Sequence, residues 1–221
     1  MMRMEEKKNQ KQQWEKAYQN NVDFFGEEPS ELALSVVGTL EMEEVERMLE
    51  LGCGQGRDTF FFARKGFDVH ALDYSSEGIE LMRSKAEDGG LKMDIGVHDV
   101  RDPLPFPDES FDAVYSHMLL TMELVEEEIS YVLQECLRVL RPGGLNIYSV
   151  RNDHDPHYGQ FLHVGEDMYQ NPMGFVVHFF PEEKVRRLSE GYLLEWIKEF
   201  EDSSPPFVKR LYEVVLRKPE R

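Results

Sequence analysis

Apolar and polar residues follow two different periods between residues 45 and 150, and the two periods take turns along the chain. Short apolar runs with a strand-like period alternate with stretches in which apolar residues recur every three or four positions, as in helices. The predicted strands are VERMLEL, FDVHALD, KMDIGVHD, SFDAVYSHM and, after an RPGG turn, GLNIYSV. The predicted helices are QGRDTFFFARKG, SSEGIELMRSKAEDGG and VEEEISYVLQECLRVL. This alternation predicts an α/β fold with a parallel sheet and helices on both faces.

The N-terminal residues have a weaker pattern. Residues 1–12 are polar and charged, and we expect them to fray. Trp14 and Tyr18 share one face of a short predicted helix. Ser30 is the predicted N-cap of a second helix, which ends near Leu40.

Beyond Val150 the alternation stops. Residues 151–180 show no regular pattern and are too long for an ordinary connection, which is typical of functional lids or mobile segments. Pro181 is predicted to open a helix at its first position. Two strands, YLLEWIKEF and VKRLYEVVLRK, joined by a loop at residues 202–206, then predict an antiparallel hairpin at the sheet edge.

Charge and cysteine content narrow the class of protein. The 221 residues include 43 Asp and Glu against 25 Lys and Arg, a formal net charge of −18. Such a surface suits neither nucleic-acid phosphates nor anionic membranes, so we expect a small-molecule partner, with no nucleic acid and no membrane. There is no apolar signal segment or membrane span, and the 2 cysteines exclude a disulfide framework. We expect a cytoplasmic protein that is a monomer or a homodimer.

The stretch LELGCGQGRD, residues 49–58, places three glycines between a predicted strand and a predicted helix. A tight turn and a ligand against the backbone both explain glycines there. Asp73 favours a ligand, because it ends the next strand, where a carboxylate accepts hydrogen bonds from ribose hydroxyls. A dinucleotide would require a third glycine at Arg57, and Glu50 would repel its pyrophosphate. The charge of Glu50 suits an ammonium group, which favours S-adenosylmethionine.

Four stretches occur in a characteristic order: LELGCGQGRD, ALDYS, HDVRDPLPFPDESFDAVYS and CLRVLRPGG. Together they resemble the class I S-adenosylmethionine-dependent methyltransferases over nearly the whole chain. The opening FFGEEPSELAL and the glycine loop look most like the small-molecule methyltransferases of the tellurite-resistance and thiopurine type. The resemblance implies a Rossmann-like, doubly wound sheet of seven strands, mostly parallel with an antiparallel last strand.

The resemblance also implies one methyltransferase domain over residues 1–221. Its parts would be a helical cap (1–44), a cofactor-binding core (45–150), a substrate lid (151–180) and a C-terminal helix and β-hairpin (181–221).

Individual residues gain implied roles. The glycine loop would line the methionyl part of S-adenosylmethionine, and Asp73 would bind the ribose hydroxyls. Asp99 would accept from the adenine amino group, although it also fits a turn cap. The predicted cofactor set is Glu50, Gly52, Cys53, Gly54, Gly56, Arg57, Asp73, Tyr74, Ser75, Asp99, Val100, Ser116 and His117.

Methyl transfer is an in-line displacement, for which positioning of the reactants supplies most of the catalysis. A general base is required only when the acceptor carries a proton of high pKa. The candidate bases are His117, His154 and His178. The alternative is that these histidines are only hydrogen-bonded within the fold or solvated. His154 also has metal-ligand spacing to His157, but we predict no metal site.

Aromatic residues near the N-terminus are candidate substrate contacts. Trp14, Tyr18 and Phe25 would cover the pocket and exclude water, or else they pack as an ordinary amphipathic helix and loop.

The predicted function is transfer of a methyl group from S-adenosylmethionine to a small-molecule acceptor, with S-adenosylhomocysteine as product. The absence of an Asn/Asp-Pro-Pro-Tyr/Phe motif after the fourth strand argues against methylation of adenine or glutamine nitrogen. Two alternatives stay open: a quinone or sterol type of C- or O-methyltransferase, since LPFPDESFDAVYS also fits that branch, and a non-catalytic regulatory protein that binds S-adenosylmethionine. An RNA methyltransferase is disfavoured by the charge.

Overall fold

The computed structural model describes residues 2–203 and 207–220, and their side chains from residue 10 onward. The described chain forms two compact units. The first runs to Leu104 and includes Phe111–His117, and the second comprises Pro105–Ser110 and the chain from Met118 onward.

The first unit alternates strands with helices, as predicted. Its helices are α1 (Met2–Asn20), α2 (Glu31–Met42), α3 (Arg57–Arg64) and α4 (Ser76–Gly89). Its strands are β1 (Arg47–Leu51), β2 (Asp68–Asp73), β3 (Asp94–Val97) and β4 (Phe111–His117). β1 pairs in parallel with both β2 and β4, and β2 pairs in parallel with β3. The carboxyl ends of these strands therefore lie at one edge of the sheet.

The second unit begins with a helix and ends with a hairpin. Its elements are α5 (Glu126–Val139), β5 (Leu140–Arg151), β6 (Leu162–Gly165), β7 (Met168–Gln170), β8 (Val176–His178), α6 (Glu182–Leu188), β9 (Leu193–Asp202) and β10 (Lys209–Arg217). β10 is antiparallel to both β5 and β9. The loop predicted between the two hairpin strands includes residues 204–206, which lie outside the described residues.

The strand order confirms the predicted fold class. The main sheet has seven strands in the order β3-β2-β1-β4-β5-β10-β9, mostly parallel with an antiparallel last strand. This is a Rossmann-like arrangement with flanking helices. The boundaries of a single domain over the whole chain stay a prediction.

Two sequence predictions about helix starts were wrong. α1 begins at Met2, so the residues expected to fray are helical; they are rich in Glu, Lys and Gln, which have high helix propensity. Pro181 is the N-cap of α6 and not its first helical residue. The prediction for Ser30 is confirmed, since its side chain accepts a hydrogen bond from the Ala33 N–H at the start of α2.

Two predictions about irregular segments were also wrong. The RPGG stretch belongs to β5, because Gly143 N–H donates to Lys218 O and Lys218 N–H donates to Gly144 O. Residues 151–180 carry regular structure, since β6, β7 and β8 form a separate antiparallel sheet of three strands. These strands are three or four residues long, too short to show a clear period in the sequence.

Candidate functional site

The loop after β1 is a tight turn made of bare backbone. φ is 74° at Gly52, 55° at Gly54 and 87° at Gly56, a region that residues with side chains rarely adopt. The N–H groups of Gly52 and Cys53 both donate to Leu72 O, at 2.8 and 3.2 Å, which ties the loop to the end of β2. The predicted turn is confirmed, and the contact of its backbone with a ligand stays a prediction.

The Asp73 carboxylate links the glycine loop to the start of α4. Its Oδ2 accepts from the Gly54 N–H at 2.9 Å, and its Oδ1 accepts from the Ser75 N–H at 2.8 Å. The residue is only 7% exposed. Burial raises the pKa of Asp73 to about 6, although the two backbone hydrogen bonds oppose the rise. Each carboxylate oxygen keeps capacity for one more donor, as a ribose diol requires.

Glu50 is a second buried carboxyl group, at the end of β1. Its Oε2 accepts from Thr59 Oγ1 at 2.5 Å. Burial, together with the nearby charge of Asp58, raises the pKa of Glu50 to about 8. Glu50 is therefore mostly protonated at neutral pH until a positive charge approaches it.

Asp58 forms a buried network that the sequence analysis did not assign. Its carboxylate accepts from Ser30 N–H at 2.7 Å, from Ser30 Oγ at 2.6 Å and from Tyr115 Oη at 2.7 Å. Burial alone would raise the pKa of Asp58, but His117, Arg57 and the Ser30 hydrogen bonds together lower it. The network joins α2, α3 and β4. Its one sequence signal is an acidic residue in the first turn of α3.

Cys53 packs in the core, whereas Arg57 Nε lies 3.5 Å from Asp58 Oδ1. Cys53 belongs to an apolar cluster with Phe60 and Met82, and burial raises the pKa of its thiol well above the usual value. The Arg57 guanidinium lies 5.7 Å from the centroid of the Phe25 ring. Their roles toward the cofactor stay predictions.

Three further residues of the predicted cofactor set, Tyr74, Asp99 and Val100, lie against other protein groups. Tyr74 is partly buried, with Lys11 Nζ 5.8 Å from its ring centroid. The Asp99 carboxylate accepts from Arg101 Nε at 2.8 Å, and its carbonyl accepts from the Asp102 N–H at 2.9 Å. These contacts favour the turn-cap alternative for Asp99. Val100 is buried directly after it.

β4 ends in Ser116 and His117, two residues of the predicted cofactor set. Ser116 is buried and His117 is partly exposed. The next residue, Met118, has a φ of 56°, an uncommon conformation for a long side chain that turns the backbone after His117. Backbone strain of this kind is frequent next to functional residues.

The predicted aromatic contacts form one cluster. The Trp14 ring centroid lies 5.6 Å from Tyr18 and 5.9 Å from both Phe24 and Phe25. Phe24 and Phe25 are 44% and 38% exposed, so part of the cluster faces solvent. Tyr18 is buried against the glycine loop, because a Cβ at Gly54 would lie 2.9 Å from its hydroxyl oxygen. The structure therefore brings Trp14, Tyr18 and Phe25 together.

The candidate histidines of the second unit are bonded to protein groups. His154 Nδ1 lies 2.9 Å from Glu199 Oε2, which raises the pKa of this exposed imidazole. His157 Nδ1 lies 3.0 Å from Arg151 Nη2. The two residues of the H-x-x-H spacing thus have different partners, and the second packs against aromatic rings.

His178 is completely buried and held at both ring nitrogens. Nδ1–H donates to Leu124 O at 2.7 Å, and Nε2 accepts from Lys184 Nζ at 2.9 Å. Burial and the Lys184 charge lower the pKa of His178 to about 4. These contacts favour a structural role over that of a general base.

Lys184 is the centre of a charged cluster in this unit. Its ammonium pairs with Asp167 and lies 3.3 Å from Glu126 Oε1. Glu126, Glu166 and His178 offer potential metal-ligand atoms within 4.8 Å of one another. The buried lysine already supplies a positive charge there, and the absence of a metal stays a prediction.

Comparison with known proteins adds to this geometry. Residues 48–144, from β1 into β5, match the family described as a methyltransferase domain. This segment contains the glycine loop, Asp73 and the end of β4. This part of the chain is therefore similar to methyltransferase domains. The glycine loop beside Asp73 fits a ligand with a ribose and an amino-acid end.

Curated relatives include two with different acceptors in their names. The chain is 27% identical over 166 residues to the tRNA N(3)-cytidine methyltransferase of Gallus gallus, covering 71% of this chain and 45% of the relative. It is 32% identical over 154 residues to the ubiquinone biosynthesis O-methyltransferase of Roseobacter denitrificans, covering 69% and 53%. The chain thus spans about half the length of these relatives.

Solved structures confirm the fold. A SAM-dependent methyltransferase from Methanosarcina mazei aligns with a TM-score of 0.71 and 24% identity, covering 80% of this chain and 93% of that one. TehB from Haemophilus influenzae aligns with a TM-score of 0.65 and 18% identity, covering 83% and 61%. Within residues 2–203 and 207–220, no helix is both long and apolar enough to cross a membrane.

Proposed function

We propose that the chain is an enzyme that transfers the methyl group of S-adenosylmethionine to a small-molecule acceptor by in-line displacement. One observation carries the proposal. The Asp73 carboxylate is anchored by the N–H groups of Gly54 and Ser75, so the expected ribose-binding group and the glycine loop form one rigid unit.

Different residues would bind the different parts of S-adenosylmethionine. Asp73 would accept from the ribose hydroxyls, and the Gly52–Gly56 backbone would lie against the methionyl part. Glu50 would release its proton and pair with the amino-acid ammonium, since an adjacent positive charge lowers a carboxyl pKa. S-adenosylmethionine supplies an activated methyl carbon on its sulfonium.

The end of β4 would face the reacting methyl group. We propose that Ser116 and His117 orient the acceptor there, and that His117 removes a proton when the acceptor is a phenol or an amine. A thiolate or another anionic acceptor requires no base. The side chains of Trp14, Tyr18 and Phe25 would exclude water from the transfer.

A small-molecule acceptor is supported by the net charge of −18, which opposes contacts to phosphate groups. The tellurite-resistance type within this class is supported by the opening motif and by the fold shared with TehB. The 32% identity to a ubiquinone biosynthesis O-methyltransferase favours a second candidate, O-methylation of a phenol on an apolar ring.

A transfer assay with labelled donor would test the proposal. The purified chain would be incubated with methyl-labelled S-adenosylmethionine and, separately, with tellurite, thiols, catechols, short-chain quinols and total tRNA. Label on any small acceptor supports the proposal, and the identity of that acceptor separates the two candidates. Label on tRNA alone would refute the small-molecule assignment, and binding of the donor without transfer would favour a non-catalytic protein.

A further inference from the structure

Helix α1 is attached to the start of α4 by one carboxylate. Glu15 Oε2 accepts from Ser75 Oγ at 2.7 Å and from Glu77 N–H at 3.0 Å. Glu15 Oε1 accepts from Ser76 N–H at 3.0 Å and from Ser76 Oγ at 3.2 Å. First-turn N–H groups lack partners within their own helix, and a negative charge at this end is favourable. Glu15 therefore caps a helix that begins some sixty positions later in the sequence.

One turn further along α1, Tyr18 lies on the backbone of the glycine loop. A Cβ at Gly54 would lie 2.9 Å from the Tyr18 hydroxyl oxygen, and a Cβ at Gly78 would lie 3.2 Å from its ring. Gly78 also permits α4 to approach the loop, since its Cβ would lie 2.7 Å from Gly54 O. The Tyr18 phenol thus covers the backbone that anchors Asp73.

The segment after α1 is attached to the same loop by Gln55. Gln55 Nε2 donates to Asn21 O at 2.8 Å, and Gln55 Oε1 accepts from the Phe24 N–H at 2.9 Å. Gln55 is 7% exposed. Glu15, which is partly buried, therefore attaches one end of the aromatic cluster to the start of α4, and the buried Gln55 attaches the other end to the glycine loop.

Few of the described side chains of α1 are buried. Among residues 10–20, only Gln10 and Tyr18 are buried. Asp73, by contrast, is 7% exposed, and the buried Tyr18 phenol is close enough for the Asp73 charge to contribute to its raised pKa, after burial. Tyr18 is therefore one of the groups that shield this carboxylate from a nucleoside. Elements with few buried apolar contacts open at the lowest free energy.

We propose that α1 is a latch across the nucleoside site, that Glu15 and Gln55 are the positioning residues that hold it closed, and that its opening sets the rate of nucleoside exchange. This inference rests on the proposed function, because it takes S-adenosylmethionine and S-adenosylhomocysteine as the exchanging ligands. A latch that closes over both the empty and the filled site changes association and dissociation rates together. Substitution of a residue that only binds the ligand changes mainly the dissociation rate, and with it the dissociation constant.

Two measurements test the latch. Hydrogen exchange of residues 10–20 in the protein alone reports opening without any ligand. Stopped-flow binding of S-adenosylhomocysteine gives both rate constants, with Trp14 fluorescence as the signal in a Trp196→Phe background. Glu15→Ala and Gln55→Ala should each raise the exchange of α1 and both rate constants about fivefold, as expected for loss of a helix cap or a buried hydrogen bond, while the dissociation constant changes less than about twofold.

Glu80→Gln is the matched control, because it removes an exposed carboxylate from α4 itself. It should leave α1 exchange and both rate constants at the values of the Trp196→Phe parent. The latch is refuted if the Glu15 and Gln55 variants bind at the parent rates, or if only one rate constant changes, so that the dissociation constant rises more than about twofold. Failure of the parent to bind S-adenosylhomocysteine would refute the proposed function, and with it the latch.

Discussion

The strand ends at the glycine loop and the insertion of residues 151–180 both contain buried carboxylates, but only those of the insertion also pair with a buried guanidinium or ammonium group. Asp73 and Glu50 accept hydrogen bonds from backbone N–H groups or a hydroxyl, and burial raises the pKa of both. In the insertion, charged side chains pair with one another, as Arg151 does with Asp155. A carboxylate held by backbone keeps capacity for a ligand, whereas an ion pair stabilises the fold. Contacts, more than residue types, therefore distinguish the candidate site from a structural cluster.

The largest effect is expected for the charged cluster around Lys184, which we assign to stability of the fold. Lys184→Met removes the buried ammonium and leaves His178, Asp167 and Glu126 without it. The free energy of unfolding should fall by about 3 kcal/mol, because breaking a buried charge cluster leaves uncompensated charge. Denaturant titration measures this loss. Lys65→Met, at an exposed lysine, should cost less than about 0.5 kcal/mol. A loss below about 1 kcal/mol for Lys184→Met would contradict the structural assignment.

Asp73→Asn tests the binding side. The amide keeps the shape of the carboxylate but places an NH₂ group against a backbone N–H or a ribose hydroxyl. Affinity for S-adenosylmethionine, measured by calorimetry, should fall more than about tenfold, on the scale of lost charge-assisted hydrogen bonds. Asp102→Asn, at an exposed residue, is the control and should bind normally. Equal affinities for the two variants would refute the ribose assignment.

His117→Ala separates orientation of the acceptor from binding of the cofactor. Turnover should fall at least about tenfold, because a positioned proton acceptor or orienting group is lost. The dissociation constant for S-adenosylhomocysteine should change less than about twofold. Turnover is measured with the acceptor found in the transfer assay, and the dissociation constant is measured by calorimetry. Unchanged turnover would make His117 a structural residue.

The raised pKa of Glu50 predicts that the free energy of unfolding depends on pH. Its pKa is raised in the folded state to about 8, so the folded protein binds the proton more tightly than the unfolded chain. The resulting stability is complete below the unfolded pKa, about 4.5, and is lost as pH rises toward 8. We expect a loss of about 2 kcal/mol between pH 6 and pH 8, within the limit of about 1.4 kcal/mol per pH unit for one proton.

Glu50→Gln should flatten this profile, because the amide mimics the protonated acid at every pH. Chemical unfolding at pH 6 and pH 8 gives the comparison. A variant that keeps the slope of the parent would assign the pH dependence to another group.

The smallest effect is expected for His154→Ala. The His154 side chain is 55% exposed, and its pair with Glu199 lies at the surface. Surface pairs contribute little, so stability should change by less than about 0.5 kcal/mol, with turnover unchanged. A tenfold loss of turnover would restore His154 as a catalytic residue.

The sequence predicted the sheet and the glycine loop because both depend on local patterns. The strands β1 to β4 are apolar and alternate with amphipathic helices, and Gly52, Gly54 and Gly56 mark a turn that few other residues allow. Asp73 was predictable from its distance to that turn. Motif spacing carries such information because the βα unit fixes the separation of the loop from the next strand end.

Other features depend on contacts that no local pattern contains. Glu15 is an ordinary polar residue of a polar helix, and its capping role follows only from the packing of α1 on α4. His154 and His178 have the same chemistry in sequence, but one is exposed and the other is bonded at both nitrogens. The short strands β6 to β8 are too brief to show a period, so tertiary pairing alone specifies them.

Calorimetric titration of the purified chain with S-adenosylhomocysteine, alongside NAD, tests the central claim most directly. The account predicts one binding site per chain for S-adenosylhomocysteine and no detectable heat for NAD, since the loop lacks the third glycine of the dinucleotide-binding motif. Binding of NAD with no binding of S-adenosylhomocysteine, or no binding of either, would contradict the account.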